Sequence, residues 1–204
     1  MDRTLRARPV LDVSALPRVA FGSKNVTWLA NVLYMLIEGT MFALLIASYF
    51  YLRARSTDWP PGTSPPYLWF GVANSILLLI SIVPAYWVKK SAPLGDRAKV
   101  RLGLLVLSLF GVASILVRIY EFTGLNCRWS DNAYASCVWV LIGMHSGHLV
   151  TEWIETLTLL GISFTDKMEG TRLADAAINS DYWYFVVISG WIVNFIIYAA
   201  PRFL

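Results

Sequence analysis

Apolar residues in this chain come in long unbroken runs, about twenty positions each, separated by short stretches where charge, proline and glycine gather. Five such runs stand out, over residues 28–53, 67–88, 99–122, 133–162 and 179–200. A helix needs roughly 20 mainly apolar residues to cross a hydrocarbon core of about 30 Å, and lipid offers its backbone no other hydrogen-bond partner. The runs are continuous in Leu, Ile and Val and do not alternate with period two, so a β-barrel is excluded. The pattern predicts an all-α polytopic membrane protein: a tail over residues 1–27, then one five-helix transmembrane domain over 28–204. Thr27 is the expected N-cap of the first span, and Arg53 and Arg55 close it. Trp59-Pro60-Pro61-Gly62 and Pro65-Pro66 forbid helix in the next connection, and Pro84 is expected to bend the last turn of the second span.

Composition agrees. Of 204 residues 57% are hydrophobic and 15% charged, against about 25% charged in soluble domains. A net charge of +4 could point to nucleic acid, but the basic residues collect at helix ends. Five lie in the tail (Arg3, Arg6, Arg8, Arg18, Lys24), five around the second connection (Lys89, Lys90, Arg97, Lys99, Arg101) and two in the fourth (Lys167, Arg172). Arg53, Arg55, Arg128 and Arg202 fall at the opposite ends, so the positive-inside rule predicts the N-terminus inside and the C-terminus outside. The tail lacks the apolar core of a secretory signal, and Asp2 and Asp12 argue against an Arg-rich presequence. A cytoplasmic tail is the expectation. Trp28, Trp59, Trp69, Trp87, Trp129 and Trp183 fall near predicted span ends, as an aromatic belt requires; Trp28, Trp59 and Trp183 are candidates for contact with lipid or a partner.

Polar residues inside the spans carry the candidate chemistry, because a charge at the bilayer centre costs at least about 2.5 to 3.5 kcal/mol. Glu38 lies mid-span in the first helix, either a proton-exchanging carboxyl or a neutral link between helices. Arg118 and Glu121, one turn apart, are expected to form a structural ion pair near a helix end, where snorkelling is easy. His145, His148, Glu152 and Glu155 follow at spacings of three and four, and so share one helical face. Such a face can bind a transition metal, but no second helix supplies a matching Glu-x-x-His. Two histidines one turn apart on one helix cannot ligate opposite faces of a haem. The face then reads as buried polar packing. Cys127 and Cys137 flank one loop; a disulfide and two free thiols are both open. Neither a nucleophile triad nor a Gly-rich phosphate loop is present.

The same residues carry a family likeness. Glu38-Gly39-Thr40-Met41-Phe42, continuing through Ala47-Ser48-Tyr49-Phe50-Tyr51-Leu52-Arg53 to Trp59-Pro60-Pro61, resembles the helix of subunit III of the haem-copper respiratory oxidases that carries a buried glutamate. Asn74-Ser75 with Gly95-Asp96-Arg97, then Tyr120-Glu121-Phe122, Gly143-Met144-His145-Ser146-Gly147-His148-Leu149 and Tyr182-Trp183-Tyr184-Phe185-Val186 are similar to that family's later segments, in order. Five spans match its short bacterial form. Ser146 stands where Gly is usual, Glu152 occupies another Gly position, and Tyr184 and Val187 replace His and Asp. These departures mark a divergent branch.

The resemblance implies a non-catalytic subunit in a bacterial inner membrane, beside subunit I and subunit II of a terminal oxidase, with haem and copper in those partners and none in this chain. It also implies phospholipid binding, stabilisation of subunit I and support of proton uptake, with Glu38, His145, His148 and Glu121 as the positions carried over. The divergence leaves a quinol oxidase or a nitric oxide reductase complex open as the assembly. Other readings are an assembly factor, or an independent small membrane protein, whether a transporter or a metal-dependent enzyme built on His145, His148 and Glu152. A transporter often shows an internal repeat, and this chain has none.

Overall fold

A computed structural model describes residues 19–203, so most of the expected cytoplasmic tail, residues 1–18, lies outside the described residues. The described chain is helical throughout. After a 3-10 turn, Gly22–Lys24, come α1 (Val26–Ala54), α2 (Leu68–Ser91), α3 (Arg97–Thr123), α4 (Ala133–Ser163) and α5 (Thr171–Asn194). The chain then passes through a π-helical segment, Phe195–Ala199, into a last helical turn, Ala200–Phe203. Each of the five helices is long and apolar enough to cross a membrane, and the protein is a multi-pass integral membrane protein.

Capping chemistry explains most of the helix starts. Asn25, not Thr27, caps α1: its side chain accepts from the Thr27 amide at 2.8 Å. Asp96 caps α3 through the Lys99 amide, and Asn132 caps α4 through the Ala135 amide. Asp96 also pairs with the Lys99 ammonium at 2.9 Å, and these hydrogen bonds hold its carboxyl below the usual carboxylate range. The largest difference from the sequence pattern is α5, which begins eight residues early. Arg172 and Asp175, read as connection, form an i,i+3 pair at 3.2 Å on its first turns, so the helix continues past its apolar run. Pro84 sits inside α2, well short of its last turn. Gly103 of α3 lets α2 approach there: a Cβ at Gly103 would lie 3.4 Å from the Pro84 carbonyl and 2.6 Å from Val88.

Helices α2, α3, α4 and α5 pack in a closed ring, each against its neighbours, and α1 lies in the groove between α4 and α5. At one end, Tyr67, Asn126, Asn132 and Arg202 bond backbone groups of neighbouring segments and bind the α1–α2 connection to the α3–α4 loop and the C-terminal turn. Trp59 packs edge-on against Tyr49 and Tyr134, with centroids 5.2 and 5.1 Å away, and donates to the Tyr49 hydroxyl. At the other end Arg97 pairs with Glu169, and Arg101 donates to the Ser163 carbonyl. Asp181 accepts from Trp28 at 3.1 Å and pairs with Lys89.

Trp183 corrects the belt expectation. Because α5 starts at Thr171, Trp183 lies about three turns inside the helix, fully buried, and its Nε1 donates to Ser81 at 2.8 Å. Trp69, Trp87 and Trp129 are exposed, while Trp28 and Trp59 are half-buried.

Candidate functional site

Three buried polar sites lie between the helices, and three of the four residues grouped on one face of α4 are divided among them. Positions three apart on a helix differ by about 60° around its axis, enough to aim His145 and His148 at different neighbours. His145 turns toward α3 and α5, and His148 toward α1. Glu152 turns toward α5, and Glu155 is exposed.

The first site joins α1 to both of its neighbours through one carboxyl. Glu38 Oε1 lies 3.0 Å from His148 Nε2, and Oε2 accepts from the Tyr182 hydroxyl at 2.5 Å. His148 Nδ1 lies 2.6 Å from the Met144 carbonyl. A carbonyl only accepts, so Nδ1 carries hydrogen. The contact between His148 Nε2 and Glu38 Oε1 then holds one further proton, as imidazolium with carboxylate or as neutral imidazole with carboxylic acid. The two side chains are thus joined by one hydrogen bond.

The second site is built on Arg118. Its guanidinium pairs with Glu121 Oε2 at 2.7 Å, reaches Asn194 Oδ1 at 3.4 Å and donates to His145 Nδ1 at 2.8 Å. Arginine only donates, so Nδ1 accepts and the proton sits on Nε2, which bonds the Val186 carbonyl at 2.9 Å. His145 is thereby held as one neutral tautomer. Glu121 also accepts from Asn74 at 2.8 Å and from Tyr198 at 3.3 Å. Arg118 is 2% exposed and Glu121 fully buried, so the expected pair forms but does not snorkel. Asn194 and Tyr198 are presented by the π-helical stretch and the turn before it, a distortion often found beside polar sites inside helices.

The third site holds Glu152. Its Oε1 accepts from Asn179 Nδ2 at 2.6 Å, and Thr156 donates to Asn179 Oδ1 at 3.2 Å. The other oxygen, Oε2, is buried and has no partner.

Cys127 and Cys137 are free thiols packed beside the aromatic cluster at the loop end. Among the described residues no group of three His, Cys, Asp or Glu side chains converges as a metal site would require. Asn179, Asn194 and Tyr198 complete these networks and were not singled out from the sequence, and Asn74 and Tyr182 figured there only within the family-like segments, with no role of their own.

No protein-family model matches the sequence. Curated proteins do. The chain is 26% identical over 180 residues to the cytochrome c oxidase subunit 3 of Thermostichus vulcanus, covering 86% of this chain and 88% of the relative. It is 28% identical over 175 residues to a probable cytochrome c oxidase subunit 3 of Mycobacterium leprae (84% and 86%). With the cytochrome c oxidase subunit 3 of Corynebacterium diphtheriae it shares 26% identity over 192 residues (91% and 93%). Near-full coverage by proteins of one name, from several bacteria, joins five spans and an ordered set of motifs: over most of its length the chain is similar to bacterial cytochrome c oxidase subunit 3 proteins.

Proposed function

We propose that the protein is a non-catalytic subunit that stabilises subunit I of a haem-copper oxidase, binds phospholipid and supports proton uptake during dioxygen reduction. The haems and copper belong to subunit I and subunit II. The observation that carries the reading is the Glu38–His148–Tyr182 site, where a single carboxyl near the middle of α1 ties that helix to α4 and α5. Such a contact is suited to holding a peripheral helix and to exchanging a proton. Lipid binding draws support from a groove of 170 Å³ between α1 and α5, lined by Gly39, Phe42, Ile46, Phe185 and Val193, in which an acyl chain can lie. Lys89, Lys90, Arg97, Lys99, Arg101, Lys167 and Arg172 lie at the end of the bundle from which α1 starts, against Arg53, Arg55, Arg128 and Arg202 at the other, and this excess supports an N-inside, C-outside orientation in the bacterial inner membrane.

The test is isolation of the tagged chain in mild detergent, with an optical redox spectrum and identification of every co-purifying protein. Haem bands with a large haem-copper subunit are expected, and the identities of the co-purifying subunits distinguish cytochrome c oxidase from quinol oxidase and nitric oxide reductase. A colourless, partner-free protein overturns the reading. Within the complex, a Glu38→Ala variant is expected to lower turnover or complex stability; no change in either removes Glu38 from the functional account.

A further inference from the structure

We propose that a cleft of about 160 Å³ between α1, α4 and α5 is a hydrated proton-exchange site: Glu152 is its buried acceptor, Glu155 its mouth, and Tyr182 the relay to Glu38. Asn31 and Tyr34 of α1, Thr151, Glu152 and Glu155 of α4, and Asn179 and Tyr182 of α5 line it. Glu152 is 1% exposed, and its Oε2 has no partner in the protein. A buried carboxyl oxygen without a donor beside a polar void is a place for ordered water. At about 30 Å³ per water, the cleft holds roughly five.

The surrounding charges decide what this site takes. Glu155 and His148 lie on the same helix, and Glu38 and Tyr34 come from α1. From α5 come Tyr182 and Asn179, with Asp175 one turn before Asn179 on the same helix. On α3, the buried Arg118 is committed to Glu121 and His145. Among the described residues no lysine or arginine lines the cleft. Carboxylates gathered without a cation are neutralised by protons or by bound cations. A lone buried carboxylate beside two others is most simply neutralised by a proton.

The cleft is also connected. Tyr182 lines it and donates to Glu38 Oε2 at 2.5 Å, so its hydroxyl bridges the water-filled side and the Glu38–His148 pair. When Tyr182 gives its hydroxyl proton to the Glu38 carboxylate and takes one from a cleft water that protonated Glu152 recharges, the hydroxyl and the water end neutral, Glu152 is left as carboxylate, and one proton has moved from Glu152 to Glu38. At the mouth Glu155 is exposed. Glu152 lies eleven residues before the end of α4 at Ser163, or roughly 16 Å along the helix, so the path covers part of the membrane depth. Only the use of the path by an oxidase rests on the proposed function.

The test is hydrogen–deuterium exchange followed by infrared spectroscopy on the protein with all its native partners in membranes. Glu152→Gln keeps an oxygen for Asn179 and is expected to remove one neutral-carboxyl C=O band. Tyr182→Phe is expected to keep that band and to slow exchange at the band that Glu38→Gln removes, by about 100-fold, the lower end of what a positioned proton donor contributes. A C=O region unchanged by Glu152→Gln, or a Glu152 carboxylate band that moves with added Na⁺ or K⁺, overturns the proton site. Unchanged Glu38 exchange in Tyr182→Phe overturns the relay. Absence of a haem-copper partner would overturn the proposed function and leave the infrared result standing, so the two failures are distinguishable.

Discussion

Gly190 leaves the space that the His145 imidazole fills: a Cβ at Gly190 would lie 2.6 Å from His145 Nε2 and 2.8 Å from Cε1. The ring enters there to reach the Val186 carbonyl on the same helix, so the tautomer that serves Arg118 depends on a glycine two helices away. Helix propensity alone favours Gly190→Ala by about 1 kcal/mol. Overpacking costs about 1–3 kcal/mol and breaks a buried hydrogen bond as well, so steric cost wins. Gly190→Ala is expected to lower thermal stability in detergent. Gly143→Ala, where a Cβ meets nothing within 4 Å, is expected to be neutral or slightly stabilising. Equal melting behaviour of the two variants would refute the packing argument.

Arg118 and Glu121 give a second prediction, because removing one partner differs from removing both. Arg118→Met leaves Glu121 buried with only Asn74 and Tyr198 as donors and takes the donor from His145. Breaking a buried pair this way costs about 3–5 kcal/mol. The double variant with Glu121→Gln leaves no charge and is expected to recover a large part of that loss. A double-mutant cycle on thermal stability measures it; additive losses would show that the pair is not a unit.

Glu38 governs how firmly α1 is held, since few α1 residues are buried besides Glu38, Phe42 and Tyr49. Glu38→Leu leaves Tyr182 and His148 without their partner and is expected to cost about 1–3 kcal/mol. The loss should be local: faster amide exchange within residues 26–54, with α2 and α3 unaffected. Uniformly faster exchange would place Glu38 in the global core instead.

The five spans were legible because lipid imposes a length and an apolar composition that no loop of this chain imitates. The buried charges were legible for the same reason: Glu38, Arg118, Glu121, His145, His148 and Glu152 stand out against Leu and Ile. Their grouping was not. Spacing placed His145, His148 and Glu152 on one face, but a face about 60° wide at a three-helix junction meets α1 on one side and α3 and α5 on the other. Uncharged partners were silent too, since a tyrosine such as Tyr182 or Tyr198 does not stand out in an apolar run as a charge does. Asn74, Asn179 and Asn194 were the available signal, being amides within or beside apolar runs, and all three are buried at polar sites. The start of α5 was missed because Arg172 and Asp175 look like loop when taken singly and like helix only as a pair.

Cys127 yields a prediction with a definite pH sign. It lies in the α3–α4 loop, half-buried, with Trp139 donating to its backbone carbonyl at 3.0 Å. Burial, reinforced by the nearby Asp131 carboxylate, pushes its thiol above the usual cysteine range. The reactive species is the thiolate. A raised value means that less thiolate is present at neutral pH than for an exposed cysteine, and that reactivity rises only as pH climbs through the elevated value. In a Cys137→Ser background, where Cys127 is the remaining cysteine, alkylation by a small water-soluble maleimide is expected to be slow at pH 7. It should gain about tenfold per pH unit until the thiol titrates, since thiolate fraction scales that way below the pKa. Asp131→Asn removes the neighbouring charge and is expected to move the whole profile to lower pH. A rate that is already maximal at pH 7, or a profile that Asp131→Asn leaves in place, would show that burial and the carboxylate do not control this thiol.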